Sequence, residues 1–181
     1  MTWLIIAVGI VVVLAIAALA VPRVRSRSLQ RRFGPEYEHL VDEQGDRRAA
    51  ESELRERIKR RDELEIRDLE PDARDAYAEE WLLVQQRFID APAETVAEAD
   101  GLVQTVMRER GYPVDDFDER IEMVSVDHPD LAENYRVAHA IQLRSEEQEA
   151  STDDLRDAFQ RYRSMFAELL THDDLSEGGA R

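Results

Sequence analysis

The side chains in this sequence best suited to moving protons or holding a metal are its four histidines, His39, His128, His139 and His172. A histidine base needs a carboxylate beside it to orient the ring, and a zinc site needs several ligands converging on one point. His128 and His139 are eleven residues apart, about 16 Å along a helix, too far to share one ion. There is no His-Glu-x-x-His run and no repeated Glu-x-x-His pair, which removes the usual zinc-protease and di-iron arrangements. His128 precedes Pro129, a pairing that opens a helix more readily than it presents a general base. A catalytic reading would have to join His128 or His139 to Asp127 or Glu133, and it ranks below a non-catalytic one.

The acidic group Asp115, Asp116, Asp118 and Glu119 resembles a calcium loop only superficially. Counted from Asp116, the fifth position is Arg120, the sixth is Ile121 and the twelfth is Asp127, where an EF-hand needs a ligand, a glycine and a bidentate glutamate. Carboxylates at the start of a helix explain the group better, because they accept from the free amides there. The chain has no cysteine, so disulfides, thiolate nucleophiles and cysteine-ligated metals are excluded. No P-loop, dinucleotide fingerprint or serine-nucleophile elbow occurs. The sequence therefore predicts no catalytic, cofactor-binding or metal-ligating residue.

The feature that fixes where such a chain would act is at its front. Trp3 to Val21 is an unbroken uncharged run of nineteen residues, followed at once by Arg23, Arg25 and Arg27, then Arg31 and Arg32. As a helix it would reach roughly 28 Å, close to the hydrocarbon thickness of a bilayer. Its apolar residues cover every side of the cylinder, and Trp3 stands at one edge, where an indole can anchor. The arginines at the other edge place the N-terminus outside and the rest in the cytoplasm, as a single-pass protein of the plasma membrane. Those arginines would hold anionic lipid, each contributing on the order of 1 kcal/mol. The competing reading is a cleaved, exported helical protein, because Ala18-Leu19-Ala20 has the small-x-small form of a cleavage site. A missing basic n-region, a long apolar run and an arginine-rich mature start count against it.

The net charge of −16 is unevenly spread. The first 32 residues hold five of the 24 basic residues and no acid, so 19 face 40 acidic ones beyond, a charge of −21. Such a domain is repelled by nucleic acid, which is excluded as a partner.

Hydrophobic spacing then sets the elements. Leu29, Phe33, Tyr37, Leu40 and Val41 predict a short helix from about Pro35 to Gln44, stopped by Gly45. Residues 47–70 hold sixteen charges in twenty-four positions, with Glu51/Arg55, Glu53/Arg57 and Glu56/Arg60 in the favourable acid-before-base order. Only Ala50, Leu54 and Ile58 form an apolar line, so this reads as a solvated spacer, with a two-stranded coiled coil as its alternative. Tyr77, Trp81, Val84 and Phe88 share one face of a helix over 72–90. Val96, Ala99, Val103 and Val106 continue from Pro92 to Arg110, where Gly111-Tyr112-Pro113 breaks the chain. A shorter helix carries Phe117, Ile121 and Val124, and another carries Leu131, Tyr135, Ala138 and Ile141. Ser151 followed by Asp154 predicts a capping box before Leu155, Phe159, Tyr162, Phe166 and Leu169. No segment alternates with a period of two.

The predicted protein is all-α: a membrane anchor at 1–22, a basic juxtamembrane segment and charged helical connector at 23–70, a bundle of about five helices at 71–170, and a disordered tail at 171–181. Arg32-Phe33-Gly34-Pro35-Glu36-Tyr37, Trp81 with Val84-Gln85-Gln86-Arg87-Phe88, Ala99-Asp100, Val106 through Pro113, and Val126-Asp127-His128-Pro129 together carry a resemblance. Over about residues 29–170 the chain resembles an uncharacterised bacterial family, found mainly in actinomycetes and other high-GC bacteria, with one N-terminal transmembrane helix and a helical soluble domain. That resemblance implies no activity, ligand or catalytic residue. The function expected is a membrane-tethered helical module that binds another protein or serves as a scaffold, with self-association into a homo-oligomer as an architectural variant. The first surface to consider joins two turns expected to be exposed, through Tyr112, Asp115, Asp116, Asp127 and His128.

Overall fold

The computed structural model describes Trp3 and residues 26–171, and among them every regular element is helical. The Trp3–Val21 run expected to cross a membrane and the tail beyond Thr171 lie outside the described residues, Trp3 itself excepted. Among the described residues, no helix is long and apolar enough to cross a membrane.

The chain divides into two compact units, one ending at Glu56 and the other beginning at Arg57. In the first, residues 26–33 are helical, α1 is Pro35–Gln44, and α2 (Arg47–Asp62) begins. Pro35 suits the first turn of α1, having no amide to leave unsatisfied, and Gly45 ends it in the left-handed conformation at φ 65°. Phe33, Tyr37, Leu40, Ala50 and Leu54 are buried, so the thin apolar line of α2 is used where it exists. Beside them the Glu51 carboxylate accepts from Ser26 Oγ at 2.5 Å, Tyr37 Oη at 3.0 Å and Arg47 Nε at 3.2 Å. Burial pushes this carboxyl up, but those three donors more than offset it and hold it below the usual carboxylate range.

The second unit contains the end of α2 from Arg57, then α3 (Pro71–Arg87), α4 (Pro92–Arg110), α5 (Phe117–Asp127), α6 (Pro129–Glu146) and α7 (Thr152–Leu170). Prolines at the first turn of α3, α4 and α6 set their starts, the role expected of Pro92 and Pro129 from sequence. Asp116 Oδ1 accepts from the Glu119 amide at 2.9 Å, and Ser151 with Asp154 forms a complete capping box before α7. These side chains satisfy amides that have no partner inside the helix. The predicted third helix stops earlier than 90, because a turn over 88–90 carries the chain to Pro92.

Helix α4 is the centre of this unit and packs against α3, α6 and α7. Its Val96, Ala99, Val103 and Val106 are fully buried, which is the role their spacing assigned. From α3, the Trp81 ring stacks on Phe159 at 5.3 Å and Phe166 at 4.6 Å between centroids. The aromatic stripes thus meet each other and form core.

Candidate functional site

The two turns expected to form an exposed surface are only partly exposed. Gly111 adopts φ 98°, and a Cβ there would stand 2.5 Å from the Glu65 carbonyl oxygen, so glycine is required. The chain reversal it permits turns Tyr112 inward, leaving the ring 3% exposed beneath the Arg110 guanidinium. Tyr112 Oη donates to Asp127 Oδ2 at 2.6 Å, and Arg61 Nε donates to both oxygens of Asp127 at 2.8 Å. Tyr112, Asp127 and Arg61 therefore form one lock joining the turn after α4, the end of α5 and the end of α2. Burial first, and then the Asp127 charge, keep the Tyr112 hydroxyl protonated far above its ordinary range.

His128 is also buried, at 6% exposure, and its backbone amide closes the last turn of α5 on Val124. Its Nδ1 lies 3.5 Å from Glu168 Oε1 of α7. The expectation that Tyr112 and His128 are available on the surface is corrected by this burial, which the glycine turn and the short α5–α6 junction produce. Asp115 and Asp116 do remain exposed, Asp116 as the cap of α5. His139 lies elsewhere, stacked on Phe117 with centroids 3.9 Å apart. Burial lowers its basicity. Glu133 is exposed beside Arg136, 3.8 Å away. The carboxylate proposed as an alternative partner for a catalytic histidine, Asp127, is thus committed to Arg61 and Tyr112.

A cluster that the spacing did not single out sits inside the second unit. Asp100, Arg120 and Tyr135 are at most 5% exposed. Arg120 Nη1 donates to Tyr135 Oη at 2.5 Å, and Tyr135 Oη donates to Asp100 Oδ1 at 3.3 Å. Gln104 Nε2 donates to Asp100 Oδ2 at 2.7 Å. The Arg120 guanidinium lies over the Phe117 and Tyr135 rings, 5.7 and 5.5 Å from their centroids. Beside it Tyr162 meets Tyr135 edge-on and donates to Gln142 Oε1 at 2.8 Å. Burial, then the Asp100 charge, raises both tyrosine hydroxyls well beyond their ordinary range. The signal for this cluster was register: Asp100 lies four residues after Val96 and three before Val103, on the buried stripe, and Arg120 lies three after Phe117.

The charged end of α2 is equally committed. Arg57, 5% exposed, lies 3.5 Å from Glu122 Oε1, and Arg60 Nη2 is 2.8 Å from Glu122 Oε2. The segment that follows is pinned to the end of α4: the Arg67 amide donates to the Arg110 carbonyl at 2.9 Å, and Arg110 Nη1 donates to the Leu169 carbonyl at 3.1 Å. Chemically these arrangements fix helices in place, since each carboxylate already meets cations or hydroxyls. Among the described residues, no three histidine or carboxylate side chains are grouped to hold a metal.

Besides Trp3 and Leu143, the large apolar side chains exposed among the described residues gather in one stretch of sequence. Leu82, Leu83 and Ile89 are 57%, 58% and 88% exposed, three large apolar side chains within eight positions of α3 and the turn after it. No protein-family model matches this chain, and no curated protein or solved structure matches it.

Proposed function

We propose that this chain is a membrane-tethered helical module that binds another protein and performs no catalysis. The observation that carries the reading is the exposed group Leu82, Leu83 and Ile89, on a unit whose buried Tyr112 and Tyr135 hydroxyls are bonded to Asp127 and Asp100. Three adjacent large apolar residues cost solvation free energy in water, a cost removed when a partner covers them. The packing of α3 supports the same reading. Trp81 on Phe159 and Phe166, Tyr77 on Glu109 and Arg87 on Glu98 hold α3 against α7 and α4, so that its outer face is presented without reorganisation.

The tether is the Trp3–Val21 run, with Arg23, Arg25, Arg27, Arg31 and Arg32 at the cytoplasmic lipid surface and the acidic domain behind them. The resemblance to single-helix bacterial membrane proteins agrees with that placement. Two measurements on the full chain test the proposal. Membranes washed at alkaline pH retain it with its N-terminus intact; release of a product trimmed after Ala20 would remove the tether. The combined variant Leu82→Ser, Leu83→Ser, Ile89→Ser keeps the unfolding midpoint and loses the protein recovered with the wild type from solubilised membranes. Unchanged recovery would remove the binding face.

A further inference from the structure

We propose that the α3 face of Leu82, Leu83 and Ile89 receives a basic amphipathic helix of a separate protein, an inference resting on the interaction reading above. Asp75, Glu79, Leu82 and Gln86 follow one another at three- and four-residue steps, with Ala78 beside them, on the side of α3 away from Tyr77, Trp81, Val84 and Phe88. The core takes the second set: Trp81 and Val84 are 6% and 3% exposed. The first set is left in solvent, and Ile89 extends its apolar part past the end of the helix.

Charge selects the occupant. Asp75, Glu79, Glu80 and Asp90 are exposed around the apolar group. The two cations of this helix are already engaged, Arg87 with Glu98 Oε2 at 3.0 Å and Arg74 with the Leu69 carbonyl at 3.4 Å. Arg74 keeps its charge, but against Asp75, Glu79, Glu80 and Asp90 it leaves the field over the patch negative. An apolar strip rimmed by acids matches a helix with apolar anchors at i, i+3 or i+4 and i+7 and Lys or Arg on its flanks. A second copy would bring the same acidic rim against this one, and like charges facing each other across an interface oppose that pairing. Anionic lipid is disfavoured for the same reason.

The test places a photo-crosslinking benzoylphenylalanine at Leu83 of the full chain in cells, and separately at Asp115 on the exposed turn before α5. The adducts are identified by sequencing the attached segment. The proposal requires the Leu83 probe to capture a different protein through a segment with basic flanks and apolar residues at helical spacing. It also requires Asp75→Asn, Glu79→Gln, Glu80→Gln and Asp90→Asn together to lower that yield about tenfold at low salt. Adducts to a second copy, to lipid, or to an acidic or extended segment overturn it, as does a yield indifferent to the four substitutions. Capture of a protein from Asp115 alone overturns this face but leaves the interaction reading standing, whereas no capture from either position overturns both.

Discussion

Arg120→Met removes a buried cation and keeps most of the side chain's length. The guanidinium is 5% exposed, donates to Tyr135 at 2.5 Å and covers two aromatic rings. Without it, the Tyr135 hydroxyl loses its charged donor, and the Asp100 carboxylate, 4% exposed, keeps Tyr135 and Gln104 as its donors with no cation behind them. Losing a buried hydrogen bond from a charged donor costs about 1.5–3 kcal/mol, while the volume change contributes under about 1.5 kcal/mol. Asp100→Asn in the same background removes the stranded charge and returns part of that loss. The expected coupling between the two substitutions is about 1–3 kcal/mol. Urea unfolding of the full chain in detergent measures this through Trp81, whose ring is packed on Phe159 and Phe166. A Trp3→Phe background leaves Trp81 as the single tryptophan, since the chain has two. A loss below about 1 kcal/mol for Arg120→Met, or a coupling near zero, would refute the claim that this cluster is a structural lock.

Gly111→Ala should destabilise by about 2 kcal/mol or more, because it combines a left-handed backbone with a backbone clash against Glu65; a midpoint within error of wild type would remove that argument. Ser151→Ala should cost about 1 kcal/mol by deleting the capping box of α7, read by the same denaturation. His139 has its basicity lowered by burial, so the unfolded chain binds the proton more readily and stability is complete above pH 6.5. It falls as the pH drops below that value, with Asp100, Glu146 and Asp118 opposing the shift and Arg120 adding to it. His139→Gln should flatten the slope below pH 6.5, and an unchanged slope would exclude His139 as its source. Tyr77, raised to about 12 by burial and Glu109, should stay protonated at pH 11 together with Tyr112, Tyr135 and Tyr162. The unfolded state loses these protons first, so stability falls as pH rises above 10; ultraviolet phenolate absorbance shows whether ionisation waits for unfolding.

Helix positions were legible because local chemistry sets them. Pro35, Pro71, Pro92 and Pro129 start helices, Gly45 and Gly111 stop them, and Asp116 and Ser151 cap them, each through its own backbone or its nearest amides. The valines of α4 were legible as core for the same reason, a spacing that survives folding. The turn residues were not. Tyr112 and His128 stand in segments that sequence marks as loops, and loops favour the surface. Their burial depends on Arg61, fifty residues earlier, and on Glu168, forty residues later. The solvated-spacer expectation for α2 missed Arg57 and Arg60 in the same way, since Glu122 is remote in sequence. Long-range ionic pairing leaves no periodic trace. The buried charges Asp100 and Arg120 did leave one, standing in register with apolar neighbours, and that mismatch is the signal for a buried polar cluster.

Because the chain has no cysteine, its topology can be read with one introduced thiol at a time. Thr2→Cys should react with a membrane-impermeant maleimide in intact cells, and Asp115→Cys only after the membrane is opened. Labelling of Asp115→Cys in intact cells, or its recovery in the medium on a chain lacking the first twenty residues, would contradict a helical module held on the cytoplasmic face by its own N-terminal segment.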